Sequence, residues 1–184
     1  DRSPWVRAAV VAAWAIAFAL VEAMVVYYLR KLFGLQYHLT FVPADFHFPR
    51  AYLPYEQARE AATMVMLLAV GYLVGRTWWQ LSAYWLFAFG VWDIFYYVFL
   101  VPLTGWPRSL LDWDILFLLP LPWRGPVLAP MSIACLMVAG GTTVALRDSP
   151  ERPIWPSRYT CLAALGEGGL ALYVFMADAV HLAS

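Results

Sequence analysis

Long apolar runs alternate with short polar breaks along the whole chain. The runs cover about residues 5–29, 55–75, 78–103, 127–146 and 160–182. A helix needs about 20 mostly apolar residues to cross the hydrocarbon core of a bilayer, and each run is long enough. The first run ends at Arg30-Lys31 and Gly34, the second at Arg76, and the third at Pro102 and the turn Thr104-Gly105-Trp106-Pro107. A polar, proline-bearing loop over residues 35–54 holds His38, Asp45, His47 and Arg50, and residues 147–158 form a second polar, proline-rich connection. The first run carries Glu22 within it and shows no small-residue cleavage pattern, so it is expected as a retained helix and not as a signal peptide.

Residues 109–119 break the pattern. They are apolar but short, contain Asp112 and Asp114, and meet Pro120 and Pro122. Eleven helical residues reach only about 16 Å, so a short re-entrant or interfacial helix is expected there. The predicted fold is an all-α integral membrane protein, residues 1–184 forming one bundle of five transmembrane helices plus this half-helix. The alternative is six spans, with residues 110–123 as a full crossing. With five spans, six Lys and Arg fall on the N-terminal side (side A) and six on the other (side B). Placing Arg59 inside the bundle then favours a cytoplasmic N-terminus, whereas six spans reverse the choice.

Composition agrees with a membrane location. The chain is 63% hydrophobic and 13% charged, with mean hydropathy +0.65, well away from the balance of soluble domains. Ten Trp, eleven Tyr and eleven Phe are present, and Trp5, Tyr27, Tyr28, Trp78, Trp79, Trp106, Trp123 and Trp155 cluster near run ends as an interfacial belt does. The partner this implies is the lipid bilayer, of a bacterial-type inner or plasma membrane. Zero formal net charge leaves no nucleic-acid footprint. Cys135 and Cys161 sit in apolar runs with no CxxC, which supports neither a disulfide nor a thiolate metal site.

Against this background, the acidic residues inside the runs stand out: Glu22, Glu60, Asp93 and Asp178. A carboxylate in hydrocarbon costs at least about 2.5–3.5 kcal/mol, so it persists where it has a partner or a task. In the five-span reading all four lie towards side B, together with Asp112, Asp114, Arg124, His38, His47 and His181. Helical spacing gathers Glu56, Glu60 and Thr63 on one face, with Arg59 beside them, and puts Asp93, Tyr96 and Tyr97 on another. Asp178 and His181 are three residues apart. The expected site has Glu22, Arg59, Glu60 and Asp93 as its inner members, supported by Thr63, Tyr96, Tyr97, Asp112, Asp114 and Arg124.

Such a cavity admits several chemistries. Glu22, Glu60, Asp93, Asp178 and His181 are candidate ligands for a divalent metal, zinc, iron or manganese, although neither HExxH nor ExxH occurs. Two carboxylates in unequal surroundings can instead act as acid and base on a lipid-like substrate, with Glu60 or Asp93 as base and Arg59 holding an anionic group or tuning them. Arg59 can also simply pair with Glu22 or Asp93 and lock the bundle. The functional readings are therefore an intramembrane enzyme, an accessory subunit of a larger respiratory or photosynthetic membrane complex, and a proton- or ion-coupled transporter. Five spans without a repeat count against the last. Gly71 and Gly75 form a GxxxG, a close-packing signal. No GxSxG, phosphate-binding glycine loop or Cys/His nucleophile pattern is present.

Overall fold

The computed structural model describes residues 3–32, 51–119 and 123–148, with single positions and short stretches between 154 and 176. Four helices and one β-hairpin make up the described core: α1 (Pro4–Leu32), α2 (Leu53–Val74), α3 (Trp78–Thr104), β1 (Trp113–Phe117), β2 (Trp123–Pro126) and α4 (Leu128–Arg147). The described positions from Arg158 to Met176 are also helical. Three helices, α1, α3 and α4, are long and apolar enough to cross a membrane. α2 is 22 residues long but carries Glu56, Arg59 and Glu60 in its first two turns and is not among those three.

Local signals account for the helix ends. Thr77 is extended and its hydroxyl accepts the Gln80 N–H, capping α3. Gly105 closes the same helix with φ of 70°, a left-handed conformation suited to glycine. Proline occupies the first turn of α2, where its missing N–H costs no helical hydrogen bond. Arg30 and Lys31 fall in the last turn of α1, favourable against the helix dipole.

α3 is the central element, packed against α1, α2 and α4. Its buried residues Ala83, Tyr84, Phe87, Ala88 and Val91 form the main core with Val11, Ala15 and Ala19 of α1 and Leu67 of α2. Small residues set the helix separation. A Cβ on Gly71 would lie 2.7 Å from the Leu81 carbonyl oxygen, so the GxxxG of α2 packs inside the bundle, on α3. Gly90 and Gly141 bring α3 and α4 together in the same way, a Cβ on Gly141 meeting the Ala83 carbonyl oxygen at 2.7 Å and the Phe87 nitrogen at 2.9 Å. α1 and α2 do not share such a seam. Arg7 Nη1 donates to the Val74 carbonyl at one end (3.4 Å), and polar side chains bridge the two helices at the other. Outward positions are apolar, including Leu73 (81% exposed), Trp78 (80%) and Leu136 (74%).

The expected half-helix over residues 109–119 is not formed; Trp113–Phe117 is a strand, paired antiparallel with Trp123–Pro126. The six-span alternative fails for the same reason, because the segment folds back on itself instead of crossing. Three features oppose helix here. Asp112 Oδ2 accepts from the Arg108 and Ser109 N–H groups at 2.8 and 3.2 Å, fixing a turn before the strand. Trp113, Ile115 and Phe117 are aromatic or β-branched types that favour strand. Pro120, Pro122 and Pro126 bar helix continuation. The pairing is Trp113 with Pro126, Asp114 with Gly125, Ile115 with Arg124 and Phe117 with Trp123, irregular between Ile115 and Phe117.

Adjacent glycines give a test of the α3–α4 seam. Gly141→Ala must push backbone apart and should lower stability by about 1–3 kcal/mol, whereas Gly140, with nothing within 4 Å of an added Cβ, should tolerate alanine or gain up to about 1 kcal/mol. Thermal unfolding of the two variants in detergent compares them directly.

Candidate functional site

A cavity of about 310 Å³ lies at the end of the bundle where α1 and α3 finish and α2 and α4 begin. Its polar lining comes from Glu22 and Arg30 of α1, Glu56, Arg59, Glu60 and Thr63 of α2, Asp93, Tyr96 and Tyr97 of α3, and Asp114 of β1. The rest of the wall is apolar, with Phe89, Trp92, Phe117, Trp123, Ile133 and Met137 among its members. Of the residues expected in the site, Glu22, Arg59, Glu60, Asp93, Thr63, Tyr96, Tyr97 and Asp114 are brought together here. Asp112 and Arg124 are not part of the lining: Asp112 caps its turn, and Arg124 lies on β2 opposite Ile115. Asp178, His181, His38, His47 and Cys161 lie outside the described residues.

One side of the cavity is an ion-pair ladder. Arg59 Nη1 donates to Glu22 Oε2, and Arg59 Nε donates to Glu56 Oε2 at 2.8 Å. Glu56 and Arg59 are three apart on α2, so they share a helix face. The Thr63 hydroxyl lies 3.0 Å from Glu22 Oε1 and 3.1 Å from the Arg59 carbonyl oxygen, and its single proton is shared between them. Glu22 is thus paired across α1 and α2, and the guanidinium that it faces is already answered by a second carboxylate. Arg59 is therefore poorly placed to bind an anionic substrate group.

Another side is the hairpin, whose non-helical backbone needs partners away from water. Both oxygens of Glu60 accept the Leu118 N–H, at 3.1 and 2.9 Å, and Gln57 Nε2 donates to the Leu118 carbonyl at 3.3 Å. Two side chains one turn apart on α2 therefore bind the N–H and the C=O of one residue as a neighbouring strand does. On the hairpin's other flank, Tyr97 Oη donates to Asp114 Oδ2 at 3.1 Å, and the Ile115 N–H donates to Asp114 Oδ1 at 2.9 Å.

Asp93 differs from its neighbours. Among the described residues no hydrogen bond or ion pair reaches its carboxyl group, although it is deep in the bundle and within electrostatic range of Asp114. Its remaining surface faces the cavity. The adjacent Trp92 indole N–H is also buried without a partner among the described residues. Asp114 too is enclosed, with part of its surface on the cavity, and burial pushes its carboxyl up to about 6 against the opposing hydrogen bond from Tyr97 and the charge of Arg30.

Arg30 and Leu118 are lining residues with a part in the site that the sequence did not put there. Arg30 lies eight residues beyond Glu22, on the same face as Val26 and Leu29, so extending the helical period along α1 would have found it. Its guanidinium stacks over the Trp106 ring, 4.7 Å from the centroid. The second, Leu118, takes part through its backbone, which leaves no trace in side-chain pattern. Among the described residues no three His, Cys, Asp or Glu side chains come together at metal-binding spacing, and Asp178 and His181 of the expected metal set lie outside those residues. No family model, curated protein or solved structure matches this chain.

Breaking the ladder should be costly. Glu22→Ala should destabilise the protein by about 3 kcal/mol, the low end for a broken buried pair, because the Arg59 side chain keeps 28% exposure. Glu22→Gln combined with Glu56→Gln and Arg59→Met, which removes all three charges of the ladder, should recover most of that loss in the same denaturation assay. A second test uses pH. The unfolded Asp114 carboxyl titrates near its ordinary 3.8 and the folded one at about 6, so the folded state holds an extra proton between those values. Its contribution to stability is therefore complete below pH about 4 and lost as pH rises through about 6. Unfolding midpoints measured across that window should show the decline in wild type and a flatter profile in Asp114→Asn.

Proposed function

We propose that the chain crosses the membrane five times, α2 and the segment around residues 160–182 included, and that the cavity is the active site of an intramembrane enzyme acting on a lipid-like substrate by carboxylate acid–base chemistry. The observation that carries this reading is Asp93, a carboxyl group without hydrogen-bond or ion-pair partners among the described residues on the wall of a cavity that is otherwise mostly apolar. An unpartnered carboxyl group in apolar surroundings is expensive to keep, and sites of chemistry are where such groups are kept.

The remaining residues take roles around it. Asp93 is the base that receives a proton from the bound substrate. Asp114, hydrogen-bonded to Tyr97 and titrating at about 6, is close enough to neutral pH to return one. Glu22, Glu56 and Arg59 form the frame that fixes α1 against α2, and Glu60 positions the hairpin that carries Asp114. The apolar wall of Phe89, Ile133 and Met137 receives the acyl or isoprenoid-type part of the substrate. The five-span reading is supported by the 22-residue length of α2, about 33 Å of helix, and by the apolar side chains Val65, Leu68, Tyr72 and Leu73 on its exposed surface. A subunit role, in which the carboxylates are only structural ion pairs, accounts for Glu22 and Glu56 but leaves Asp93 without a reason.

The test is turnover. Purified protein in lipid nanodiscs, incubated with a total membrane lipid extract, should convert at least one lipid species detectable by mass spectrometry. Asp93→Asn should slow that conversion by about 100-fold or more while leaving the unfolding profile in place. Identical lipid profiles with wild type, Asp93→Asn and no protein would sink the enzyme reading.

A further inference from the structure

The cavity carries more than a general base; its charge and its walls specify a head group. Five carboxyl groups line it, Glu22, Glu56, Glu60, Asp93 and Asp114, against two cations, Arg30 and Arg59. Arg59 is committed to Glu22 and Glu56, and Glu60 to the Leu118 N–H. Arg30 stacks over the Trp106 ring. What faces an incoming molecule is then Asp93 without a partner, and Asp114, whose charge the Arg30 guanidinium offsets. At Asp93 a phosphate or carboxylate head brings a second acceptor and like charge, which is unfavourable in a low-dielectric setting.

The walls beside Asp93 are aromatic. Phe89 and Trp92 pack edge to face at 5.5 Å, Trp92 and Tyr96 stack at 6.1 Å, and the hairpin adds Phe117 and Trp123, tilted together at 5.8 Å. Aromatic faces attract cations through their ring quadrupoles, most strongly where water is excluded. An unpartnered carboxyl next to them calls for a hydrogen-bond donor, because a buried acceptor left unmade costs its full desolvation. Ile133, Met137 and Pro130 provide an adjoining apolar compartment.

We infer that the cavity binds an amphiphile with a protonated amine head, the ammonium group donating to Asp93 beside the aromatic wall of Trp92 and Tyr96 and the alkyl part lying against α4. This rests on the reading of the cavity as a substrate compartment, yet it can fail separately. Turnover of lipids without ammonium binding would overturn this inference alone. Ammonium binding without turnover would overturn the enzyme reading and leave the head-group assignment standing.

The experiment is isothermal titration of the detergent-solubilised full chain with three water-soluble probes of equal chain length: hexylammonium chloride, hexanol and sodium hexyl sulfate. Hexylammonium should bind saturably, at least about tenfold more tightly than either of the others, and Asp93→Asn should weaken it about tenfold. Equal binding of hexanol, preference for hexyl sulfate, absence of saturable hexylammonium binding, or unchanged binding in folded Asp93→Asn would each overturn the proposal. Should Asp93→Asn fail to fold, Met137→Trp fills the apolar compartment without touching the carboxyl groups. Hexylammonium binding that persists unweakened in that variant would equally overturn it.

Discussion

A charge inside an apolar bundle has to be answered by another charge or by hydrogen bonds, and in this protein that rule decides where the helices can sit. α1 and α2 meet at their polar ends because Glu22 and Thr63 must reach each other and Arg59 must reach Glu22. Loss of either partner would leave a buried ion, which is far more costly than losing an apolar contact of similar size. α3, in contrast, is placed by packing: small residues on α2 and α4 admit its backbone, and its own Ala83, Ala88 and Gly90 present little bulk. The bundle is thus closed on one flank by electrostatics and on the other by shape. The cavity occupies the wedge between these two kinds of contact.

The hairpin follows from the same rule applied to backbone. Non-helical chain among apolar helices is tolerated only when its N–H and C=O groups are satisfied. β1 and β2 satisfy part of this through each other, and α2 supplies the rest by reaching Leu118 from Gln57 and Glu60. Glu60 therefore spends its charge on a structural bond, whereas Asp93 does not. Two acidic residues that look alike along the chain are separated by what lies opposite them.

Much of this was legible in the sequence. The apolar runs located the four helices of the described core to within a few residues, because those helices are apolar over most of their length and Arg, Gly and Pro stand near their ends. Spacing along α2 and α3 put Glu56, Glu60 and Thr63, and Asp93, Tyr96 and Tyr97, on shared faces, and those faces do meet in the cavity. Residues 109–119 are too short for a span, and their β-favouring side chains and prolines oppose helix, but these local signals do not say what the strand pairs with. The strand depends on a partner a few residues on and on side chains from α2, neither of which is visible in the segment itself. The pairing of Arg59 with two carboxylates was likewise open, since spacing orders residues on one helix but does not rotate one helix against another.

Gln57 and Glu60 both hold Leu118 by its main chain, so the anchor is indifferent to what the residue there is. The Leu118 side chain is itself buried, so packing limits its size and polarity, and the main-chain anchor adds one further demand, that the amide hydrogen be kept. Proline alone lacks that hydrogen. The hairpin's attachment thus imposes a constraint on the chain that is nearly silent in amino-acid identity. Among related sequences it would show itself as one excluded residue at 118, alongside a fixed pair of polar side chains three positions apart on the facing helix.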